Sequence, residues 1–428
     1  MIKQAKLIAY FLPLLAILYV SEYGVNVLYW DEFGLVSMFS GSGDFWKFIL
    51  QPHNEHFMPL GKLEYYAIGT LTAMSSKACM YATVLVLWLP YFFLVRKIES
   101  RSLLLTLVST VLFFLAFFSP LGSENLLWGF QLLYLSAYAF AVLAILMCDS
   151  FLRTGEARYL AAASFCCVVA SLNSSHGILS WLSIFSVMLY SRQYKKCLGA
   201  LIPCVLVALF YLAGRSGVAF QTRQGIDDLS FSYIATYFFS FAGSGIWSFR
   251  MDAGWIAGLI AVLVLCYLLI LRRMYRNYLV TTLAVLGILL AAMVTFGRWR
   301  LGLAQAYSSR YFQLQMPTYL AIGVAVSHYQ SGVKGSSIGL LSRLAVSSDF
   351  FIAYAAFVFA AGFLAVSIES IESGELKYHQ MSDAASIARD FETEPRERVE
   401  SALFPNYDFA SHQLRILREK KLNVFAEE

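Results

Sequence analysis

Residues 29–63 read YWDEFGLVSMFSGSGDFWKFILQPHNEHFMPLGKL, and this stretch determines how the apolar runs around it are interpreted. It begins with an acidic pair, Asp31-Glu32, directly after an apolar run, and it ends in the polar segment 53–56, His-Asn-Glu-His. The chain as a whole is 59% hydrophobic and only 14% charged. Polar groups beside a membrane span are costly, so they mark functional sites by default. We therefore expect this loop to belong to an active face at the outer membrane surface.

The surrounding apolar runs define the fold class. The 428 residues contain many runs long enough to cross a bilayer as helices. Ten-residue segments of alternating polarity, which a membrane β-barrel needs, are absent from the sequence. The net charge of +5 lies mostly in short loops, so it indicates membrane orientation and not nucleic-acid binding. We predict an all-α, polytopic membrane protein.

Hydropathy predicts about eleven transmembrane helices. The predicted spans are 7–28, 78–95, 102–118, 129–148, 159–172, 177–190, 198–213, 254–271, 279–296, 312–327 and 350–367. Residues 231–247 are also apolar, but glycines interrupt them near the end, and we predict a re-entrant segment there. If this segment crossed the membrane fully, the basic residues after 254–271 would lie on the outer side, against the positive-inside rule.

The polar segments divide the chain further. The first outer loop, 30–62, is predicted to contain interfacial helices at 33–40 and 44–50, anchored by aromatic residues. The composition changes after residue 367. We therefore predict a transmembrane catalytic domain over 1–367 and a small helical region over 368–428 that docks on the outer face.

The basic residues of the short loops predict the orientation. With the N-terminus inside, the inner set is Lys3, Lys6, Arg96, Lys97, Arg101, Arg153, Arg158, Arg192, Lys195, Lys196, Arg272, Arg273, Arg276, Lys334 and Arg343. This distribution follows the positive-inside rule. The polar islands, including 30–62 and 297–311, then share the outer face.

Asp31 and Glu32 are the first candidate catalytic residues. A carboxylate at the outer membrane surface can act as a general base towards a hydroxyl group, or it can hold a cation. Acidic residues also occur at helix ends for electrostatic reasons alone, so a structural role stays open for this pair.

The segment His53-Asn54-Glu55-His56 is the second candidate. Its residue types suit a substrate pocket, a hydrogen-bonded structural network or a divalent metal site. The spacing differs from the helical His-Glu-x-x-His motif, and no cysteine or further histidine stands nearby in the sequence. The sequence therefore requires no cofactor, and metal binding by His53, Glu55 and His56 stays open.

Arg298, Arg300 and Arg310 lie on one predicted outer loop, in GRWRLGLAQAYSSRY, which ends at Tyr311. Guanidinium groups suit the bidentate binding of phosphate, and the phosphate of a lipid would lie at this depth. Arginines near helix ends also extend towards lipid headgroups without further function. Three arginines on the outer side oppose the positive-inside rule, which favours a functional role.

The segment SENLLWGFQ contributes a fourth group, made up of Glu124, Asn125, Trp128 and Gln131. Acid, amide and indole groups suit sugar binding through hydrogen bonds and ring stacking. They equally suit an ordinary helix start at the membrane interface, with a serine cap and a tryptophan anchor. The small polar turn at 173–177, with its single histidine, is interpreted as structural.

Together these motifs resemble the GT-C superfamily of integral-membrane glycosyltransferases, which use polyprenyl-phosphate-linked sugars. The motifs that carry the resemblance are Trp30-Asp31-Glu32-Phe33, HNEH followed by Pro59-Leu60, ENLLWGFQ and SSRY. The chain lacks a WWDYG-type acceptor motif, and its tail is far smaller than the periplasmic domain of better-defined branches.

The resemblance implies an inverting transfer of sugar on the outer face of a bacterial inner membrane. The donor would be a polyprenyl-phosphate-linked sugar, and the acceptor a lipid-linked or other cell-envelope glycan. The implied roles are a base at Asp31 or Glu32, phosphate binding by Arg298, Arg300 or Arg310, and a sugar pocket shaped by His53, Glu55 and His56, or a divalent ion held by them if one is needed.

Two other classes of membrane protein remain open. A transporter or flippase for lipid-linked sugars would carry its polar residues near the bilayer midplane in two repeated halves, and no repeat is visible. A glycan polymerase or ligase of the O-antigen type uses similar donors but relies on arginine and histidine in a large late loop. The acidic first loop favours the glycosyltransferase.

Overall fold

The computed structural model describes residues 1–41, 44–54, 56–100, 102–214, 230–245, 254–328, 354 and 357–426. Within these residues the regular structure is helical, apart from an isolated bridge between His53 and His56. The predicted all-α class is therefore confirmed for the described part of the chain. Part of the predicted span 350–367 and the end of the segment 231–247 lie outside the described residues.

The helices follow one another with short connections. In chain order they are α1 Ile2–Ala9, α2 Leu14–Tyr23, α3 Phe45–Leu50, α4 Pro59–Leu71, α5 Ser76–Arg96, α6 Leu103–Phe118, α7 Ser123–Leu126, α8 Gln131–Thr154, α9 Ala157–Asn173, α10 Leu179–Tyr190, α11 Tyr194–Gly214, α12 Phe231–Gly243, α13 Gly254–Ile270, α14 Tyr278–Arg298, α15 Phe312–Ser327, α16 357–369, α17 Ile371–Arg389, α18 Arg396–Ala402 and α19 Tyr407–Glu419. Several 3₁₀ segments join them, including Trp30–Phe39, Ser175–Ile178 and Ser309–Tyr311.

Among the described residues, 7 helical stretches are long and apolar enough to cross a membrane. They are Ile2–Tyr23, Ser76–Arg96, Leu103–Leu126, Gln131–Thr154, Tyr194–Gly214, Tyr278–Leu301 and Phe357–Arg389. Shorter apolar helices accompany them at Ala157–Asn173, Ser175–Tyr190 and Gly254–Ile270. The chain is thus a polytopic helical membrane protein.

The first predicted span, 7–28, differs from the structure. Pro13 cannot donate a backbone hydrogen bond, and the chain makes a break there between α1 and α2. Helix α2 ends at Tyr23, and the chain then runs without helix to residue 29. Val27 and Leu28 are apolar because they pack into a core made with the first loop and the tail.

The first loop also differs in part from its prediction. The amphipathic helix expected at 33–40 is a 3₁₀ segment, Trp30–Phe39, whereas α3 agrees with the prediction for 44–50. Lys62, on α4, is fully buried, and its ammonium group donates to the carbonyl oxygens of Phe48 at 2.8 Å and Gln51 at 2.7 Å. Burial lowers the pKa of Lys62 to about 8. This lysine fixes the end of α3 to α4.

Helix α8 forms the centre of the bundle. It packs against α5, α9, α10 and α14, and most of its side chains are buried. Alanine and serine recur along it, and small residues let neighbouring helices approach closely in a bilayer. Its first residue, Gln131, lies at the same end of the bundle as the first loop, since Trp128 contacts Tyr29 there. The central helix therefore begins at the loop where the candidate residues lie.

The C-terminal tail packs onto the first loop. Helices α17, α18 and α19 share one buried cluster with the 3₁₀ segment Trp30–Phe39. The ring of Phe33 lies 6.1 Å from that of Phe404, and the backbone N–H of Trp30 donates to the Leu403 carbonyl at 3.0 Å. Trp30 adopts a left-handed φ of 48°, which few non-glycine residues adopt. The contact with the tail holds the backbone at the start of the acidic motif.

Near the end of the tail, Asn423 makes further hydrogen bonds to the transmembrane part of the chain. Its backbone N–H donates to the Ala73 carbonyl at 2.7 Å, and its side-chain amide donates to Met74 O at 2.9 Å and Asn26 Oδ1 at 3.1 Å. Its φ is 54°, a conformation that asparagine tolerates better than most residues. One buried side chain thus joins the tail, the end of α2 and the turn before α5.

We expect Asn423→Ala to destabilise the tail by about 2–3 kcal/mol, because two hydrogen bonds are lost and the buried Met74 carbonyl loses its side-chain donor. Limited proteolysis and thermal unfolding in detergent measure this loss. Lys421→Ala is the matched control, since Lys421 has a φ of 53° but an exposed side chain. Equal stability of the two variants would contradict the assignment of Asn423 as the main polar link.

Candidate functional site

Glu32 is the buried member of the acidic pair. Its Oε1 accepts hydrogen bonds from the Tyr65 hydroxyl at 2.9 Å and the Ser76 hydroxyl at 2.8 Å, and its Oε2 accepts from the Tyr29 N–H at 3.2 Å. None of its surface is exposed. Burial outweighs these hydrogen bonds and raises the pKa of Glu32 to about 7.

Asp31 points elsewhere. Its Oδ1 accepts a hydrogen bond from the Asn54 side chain at 2.9 Å, and the pair lies at the protein surface. Because a 3₁₀ helix has about three residues per turn, neighbouring side chains on it diverge by roughly 120°. The structure thus separates the two acids into a surface carboxylate and a buried one, and it joins the first motif to the second.

In the second motif, His53 and His56 form an isolated antiparallel bridge, and we call this segment the hairpin. His53 and His56 exchange backbone hydrogen bonds of 2.8 and 2.9 Å, and Asn54 between them has a φ of 50°. The His53 ring packs over Gly34, where a Cβ atom would lie 2.6 Å from the ring. Burial, with the nearby charge of Lys62, lowers the pKa of His53 to about 4, so the ring is neutral at physiological pH.

The His56 side chain contacts α8 and the turn after α9. Its ring lies 5.5 Å from Tyr134, and its Nδ1 is 3.4 Å from the Ser175 hydroxyl. Glu55, a predicted pocket and metal-binding residue, lies outside the described residues. Among the described residues no group of three metal-ligating side chains comes together, so a metal site at this hairpin stays a prediction.

The segment 123–131 connects the first loop to the arginine loop. Glu124 accepts a hydrogen bond from the Ser309 hydroxyl at 2.7 Å. Asn125 donates to the Ser309 carbonyl at 3.0 Å and also to the Gln313 side chain. These bonds hold the SSRY segment against α7.

Trp128 makes the corresponding link on the other side. Its indole N–H donates to the Tyr29 carbonyl at 3.1 Å, and the two rings lie 5.7 Å apart. Trp128 is therefore buried against the chain just before the acidic pair and is not an exposed stacking platform. Gln131 is buried at the first residue of α8.

The three arginines divide into two sets. Arg298 and Arg310 both lie against the ring of Tyr311, at 5.9 and 5.4 Å, whereas Arg300 lies 5.2 Å from the ring of Trp299. Arg310 is exposed. We refer to Arg298, Arg310 and Tyr311 as the arginine cluster.

The segment 123–131 brings the acidic loop and the arginine loop together. Its Trp128 donates to the Tyr29 carbonyl, and its Asn125 donates to the Ser309 carbonyl, one residue before Arg310. Burial and the charge of Glu124 raise the pKa of the Tyr29 hydroxyl, and the charge of Arg310 opposes them. The first loop and the arginine loop therefore meet at this segment, although they are far apart in the sequence.

Lys377 is a site residue that the sequence did not indicate. It extends from α17 over the ring of Tyr29, 4.3 Å from the ring centre, and it interacts electrostatically with Glu124 and Glu32. The tail carries no recognisable motif, and a single lysine on an amphipathic helix gives no signal of its own. Its position beside Tyr29 follows only from how the tail docks.

We expect Glu32→Gln to change the pH dependence of stability. The folded-state pKa of Glu32, about 7, lies above the unfolded value of 4.5, so the folded state binds more protons between these values, and this group makes the protein less stable as pH rises through that range. The loss corresponds to about 3 kcal/mol at 1.4 kcal/mol per pKa unit. The glutamine variant should match the wild type near pH 4.5 and exceed it in stability above pH 7.

Thermal unfolding of both proteins in detergent between pH 4.5 and 8 provides the measurement. His53 titrates in an overlapping range with the opposite sign, but it contributes equally to both proteins and cancels in their difference. A variant less stable than the wild type at pH 8 would mean that the buried carboxylate is a net stabilising group.

Comparison with known proteins adds no family to these observations. No family model matches the chain, and neither a curated protein nor a solved structure shows significant similarity to it. We therefore base the functional proposal on the residues and contacts described above.

Proposed function

We propose that the protein is a membrane glycosyltransferase of the GT-C type, transferring a sugar from a polyprenyl-phosphate donor to a lipid-linked or cell-envelope glycan acceptor. The observation that carries the proposal is that one segment, 123–131, binds both loops. Its Trp128 donates to the Tyr29 carbonyl at 3.1 Å, two residues before Asp31, and its Asn125 donates to the Ser309 carbonyl at 3.0 Å, one residue before Arg310. Acid–base chemistry on a hydroxyl and stabilisation of a leaving phosphate are the two requirements of such a transfer.

Asp31 is the proposed base. The acceptor hydroxyl oxygen attacks the anomeric carbon of the donor, the bond from that carbon to the phosphate oxygen breaks, and the hydroxyl proton passes to Asp31. The attack comes from the side opposite the leaving group, so the configuration inverts. Glu32 fixes the loop through Tyr65 and Ser76, and Asn54 orients the Asp31 carboxylate.

The arginine cluster is proposed to bind the departing lipid phosphate. Guanidinium groups stay charged and match phosphate oxygens in pairs, which stabilises the negative charge that develops on the leaving group. The guanidinium group of Arg300 lies against the ring of Trp299, and it would contact the same headgroup region from outside the cluster. No metal ion is needed for these steps, and a divalent ion at His53, Glu55 and His56 stays a hypothesis.

We also propose the finer topology of about eleven crossings, with the N-terminus inside and the active face on the outer side of a bacterial inner membrane. Helix α12 packs tightly on α13, since a Cβ atom at Gly258 would overlap the Phe239 carbonyl. A re-entrant segment at 231–247 accords with this pairing.

The position of the polar groups favours a transferase over a transporter. The candidate residues lie in the first loop, before α8, at the end of α14 and before α15. Transporter sites form near the middle of the bilayer, at broken helices. Glycan polymerases and ligases remain the nearest rivals, and a donor with a single sugar distinguishes them, because polymerases and ligases need a lipid-linked oligosaccharide or polysaccharide.

Asp31→Asn should lower sugar transfer from a polyprenyl-phosphate donor by about 10³-fold, because the amide keeps the bond geometry with Asn54 but cannot take up the proton. The assay is radiolabelled transfer by the protein purified in detergent or reconstituted in liposomes. Asp44→Asn is the control, since Asp44 caps α3 by accepting from the Trp46 N–H at 3.0 Å, and asparagine caps equally well. Full activity of the Asp31 variant would contradict its assignment as base.

Arg310→Ala should lower kcat/KM for the donor by about 10²-fold, as expected for loss of one donor to a developing anion. Arg310→Lys should recover part of this loss, because the charge returns but the paired geometry does not. Steady-state kinetics with varied donor measure both effects. Arg415→Ala is the control for the loss of one surface charge, since Arg415 is exposed on α19.

A further inference from the structure

Trp30, the residue directly before the proposed base Asp31, has 44% of its surface exposed. A single exposed aromatic side chain is common on protein surfaces and needs no explanation by itself. Trp46 is an example, since it is 61% exposed on α3, the predicted interfacial helix. Two features set Trp30 apart from Trp46, namely the conformation of its backbone and the surface on which its ring lies.

The backbone of Trp30 is strained. Its φ of 48° lies in the left-handed region, which a bulky residue adopts only where its surroundings impose it. The Trp30 N–H donates to the Leu403 carbonyl at 3.0 Å, and the Tyr29 carbonyl before it accepts from Trp128 at 3.1 Å. The chain is thus held on both sides of Trp30. Strain of this kind concentrates at sites that act on ligands.

The indole ring of Trp30 is held as well as its backbone. Its N–H is hydrogen-bonded to the Tyr29 side chain, and the two rings lie 6.1 Å apart. The Tyr29 ring carries the ammonium group of Lys377, 4.3 Å from its centre. Because the polar edge of the indole is occupied, its exposed surface is apolar. A rigid aromatic surface of this kind binds a ligand at low entropic cost.

The exposed ring lies on the water-facing side of the protein. Leu403, the backbone partner of Trp30, lies between α18 and α19. Arg396 and Asp408, one on each of these helices, form an exposed ion pair of 3.0 Å, and such charges are costly in lipid. Next to Trp30 in the chain is Asp31, the surface carboxylate. These polar neighbours argue against a role for Trp30 as a membrane anchor.

The surroundings of Trp30 suit the ring of a neutral sugar. A pyranose carries C–H groups on its faces, and their weakly positive hydrogens are attracted to the negative face of an aromatic ring. Its hydroxyl groups point outwards from the ring edge, where Asp31 and Asn54 offer hydrogen-bonding partners. A phosphate group would be repelled by the carboxylate, and a lipid tail would gain nothing from it.

We propose that Trp30 is the stacking platform for the acceptor, on which a pyranose ring lies with its attacking hydroxyl group towards Asp31. This inference rests on the proposed function, because it gives the acceptor a binding surface beside the base. The acceptor, and not the donor, is the sugar concerned, since the base takes up the proton of the acceptor hydroxyl. The sequence suggested Trp128 for sugar stacking, but that side chain is buried.

Fluorine NMR of the protein labelled with fluorotryptophan tests binding directly. The Trp30 signal is the one that Trp30→Phe lacks, and the Trp46 signal, assigned in the same way, is the control. The detergent must have no sugar headgroup. The ligand probes are the methyl pyranosides of glucose, galactose, mannose and N-acetylglucosamine, with glycerol as a polyol that has no ring.

At least one pyranoside should shift the Trp30 signal saturably, with a dissociation constant of about 1–10 mM, which is weak because one ring provides most of the contact. Glycerol should not shift the Trp30 signal saturably, and no probe should shift the Trp46 signal in this way. The absence of a saturable shift at Trp30 with all four pyranosides would overturn the proposal.

The same signals distinguish a sugar platform from a membrane anchor. In the reconstituted protein, a water-soluble gadolinium chelate should broaden the Trp30 signal, and a spin-labelled lipid should broaden the Trp46 signal. Broadening of the Trp30 signal by the lipid label alone would assign its ring to the bilayer, and would overturn the proposal.

Kinetics of transfer, with the bound pyranoside as acceptor, give the second readout. Trp30→Ala should raise KM for the pyranoside by about tenfold and leave KM for the donor unchanged, as expected for loss of one aromatic contact. Trp30→Phe should keep most of the acceptor affinity, and Trp46→Ala should behave like the wild type. Equal rises in both KM values would indicate a displaced loop, and would overturn the proposal.

Two outcomes separate this inference from the proposed function. Transfer by the wild type with an unchanged acceptor KM in Trp30→Ala would keep the glycosyltransferase and remove the stacking platform. Saturable pyranoside binding at Trp30, in a protein that transfers no sugar from any polyprenyl-phosphate donor, would support Trp30 as a sugar-binding surface and remove the glycosyltransferase.

Discussion

The burial of the Glu32 carboxyl group is the constraint on which the arrangement of the candidate site depends. Three segments donate hydrogen bonds to it: the chain before the acidic pair, α4 through Tyr65, and the start of α5 through Ser76. A fourth segment closes over it at Gly129, where a Cβ atom would lie 2.6 Å from Oε1. A buried carboxyl without these donors would cost several kcal/mol, so the segments must come together for the loop to fold.

This constraint also explains the division of work between the two acids. Once Glu32 is turned inwards, the 3₁₀ geometry turns Asp31 towards the surface, where Asn54 orients it. The carboxyl that organises the loop is thus not the one available to a substrate. In such a pair, one residue often supports the loop while the other faces the substrate. A reactive group needs a rigid support, and that support must itself be held by buried contacts.

The sequence predicted the fold class and the loops that hold the polar residues, because hydropathy and charge distribution can be read directly from the order of residues. It could not separate Asp31 from Glu32, since both follow the same apolar run. It extended the first span to residue 28, because residues that pack against the tail are as apolar as residues that face lipid. Val27 and Leu28 show this ambiguity most clearly.

Lys377 was harder to predict, for a physical reason. Lys377 reaches Tyr29 only because α17 docks on the first loop, and nothing in its local sequence encodes that contact. The docking of α17 depends on every neighbour that it meets, which only the packed structure defines.

The two backbone hydrogen bonds between His53 and His56 connect the surface of the candidate site to the helix bundle. Asn54 holds the Asp31 carboxylate, and His56, two residues later, lies against Tyr134 on α8 and Ser175 in the turn after α9. The backbone bonds of 2.8 and 2.9 Å fix His53 relative to His56. The position of the proposed base therefore depends on how α8 and α9 pack. Contacts remote from the reacting atoms can position a catalytic group in this way, which is how they raise kcat.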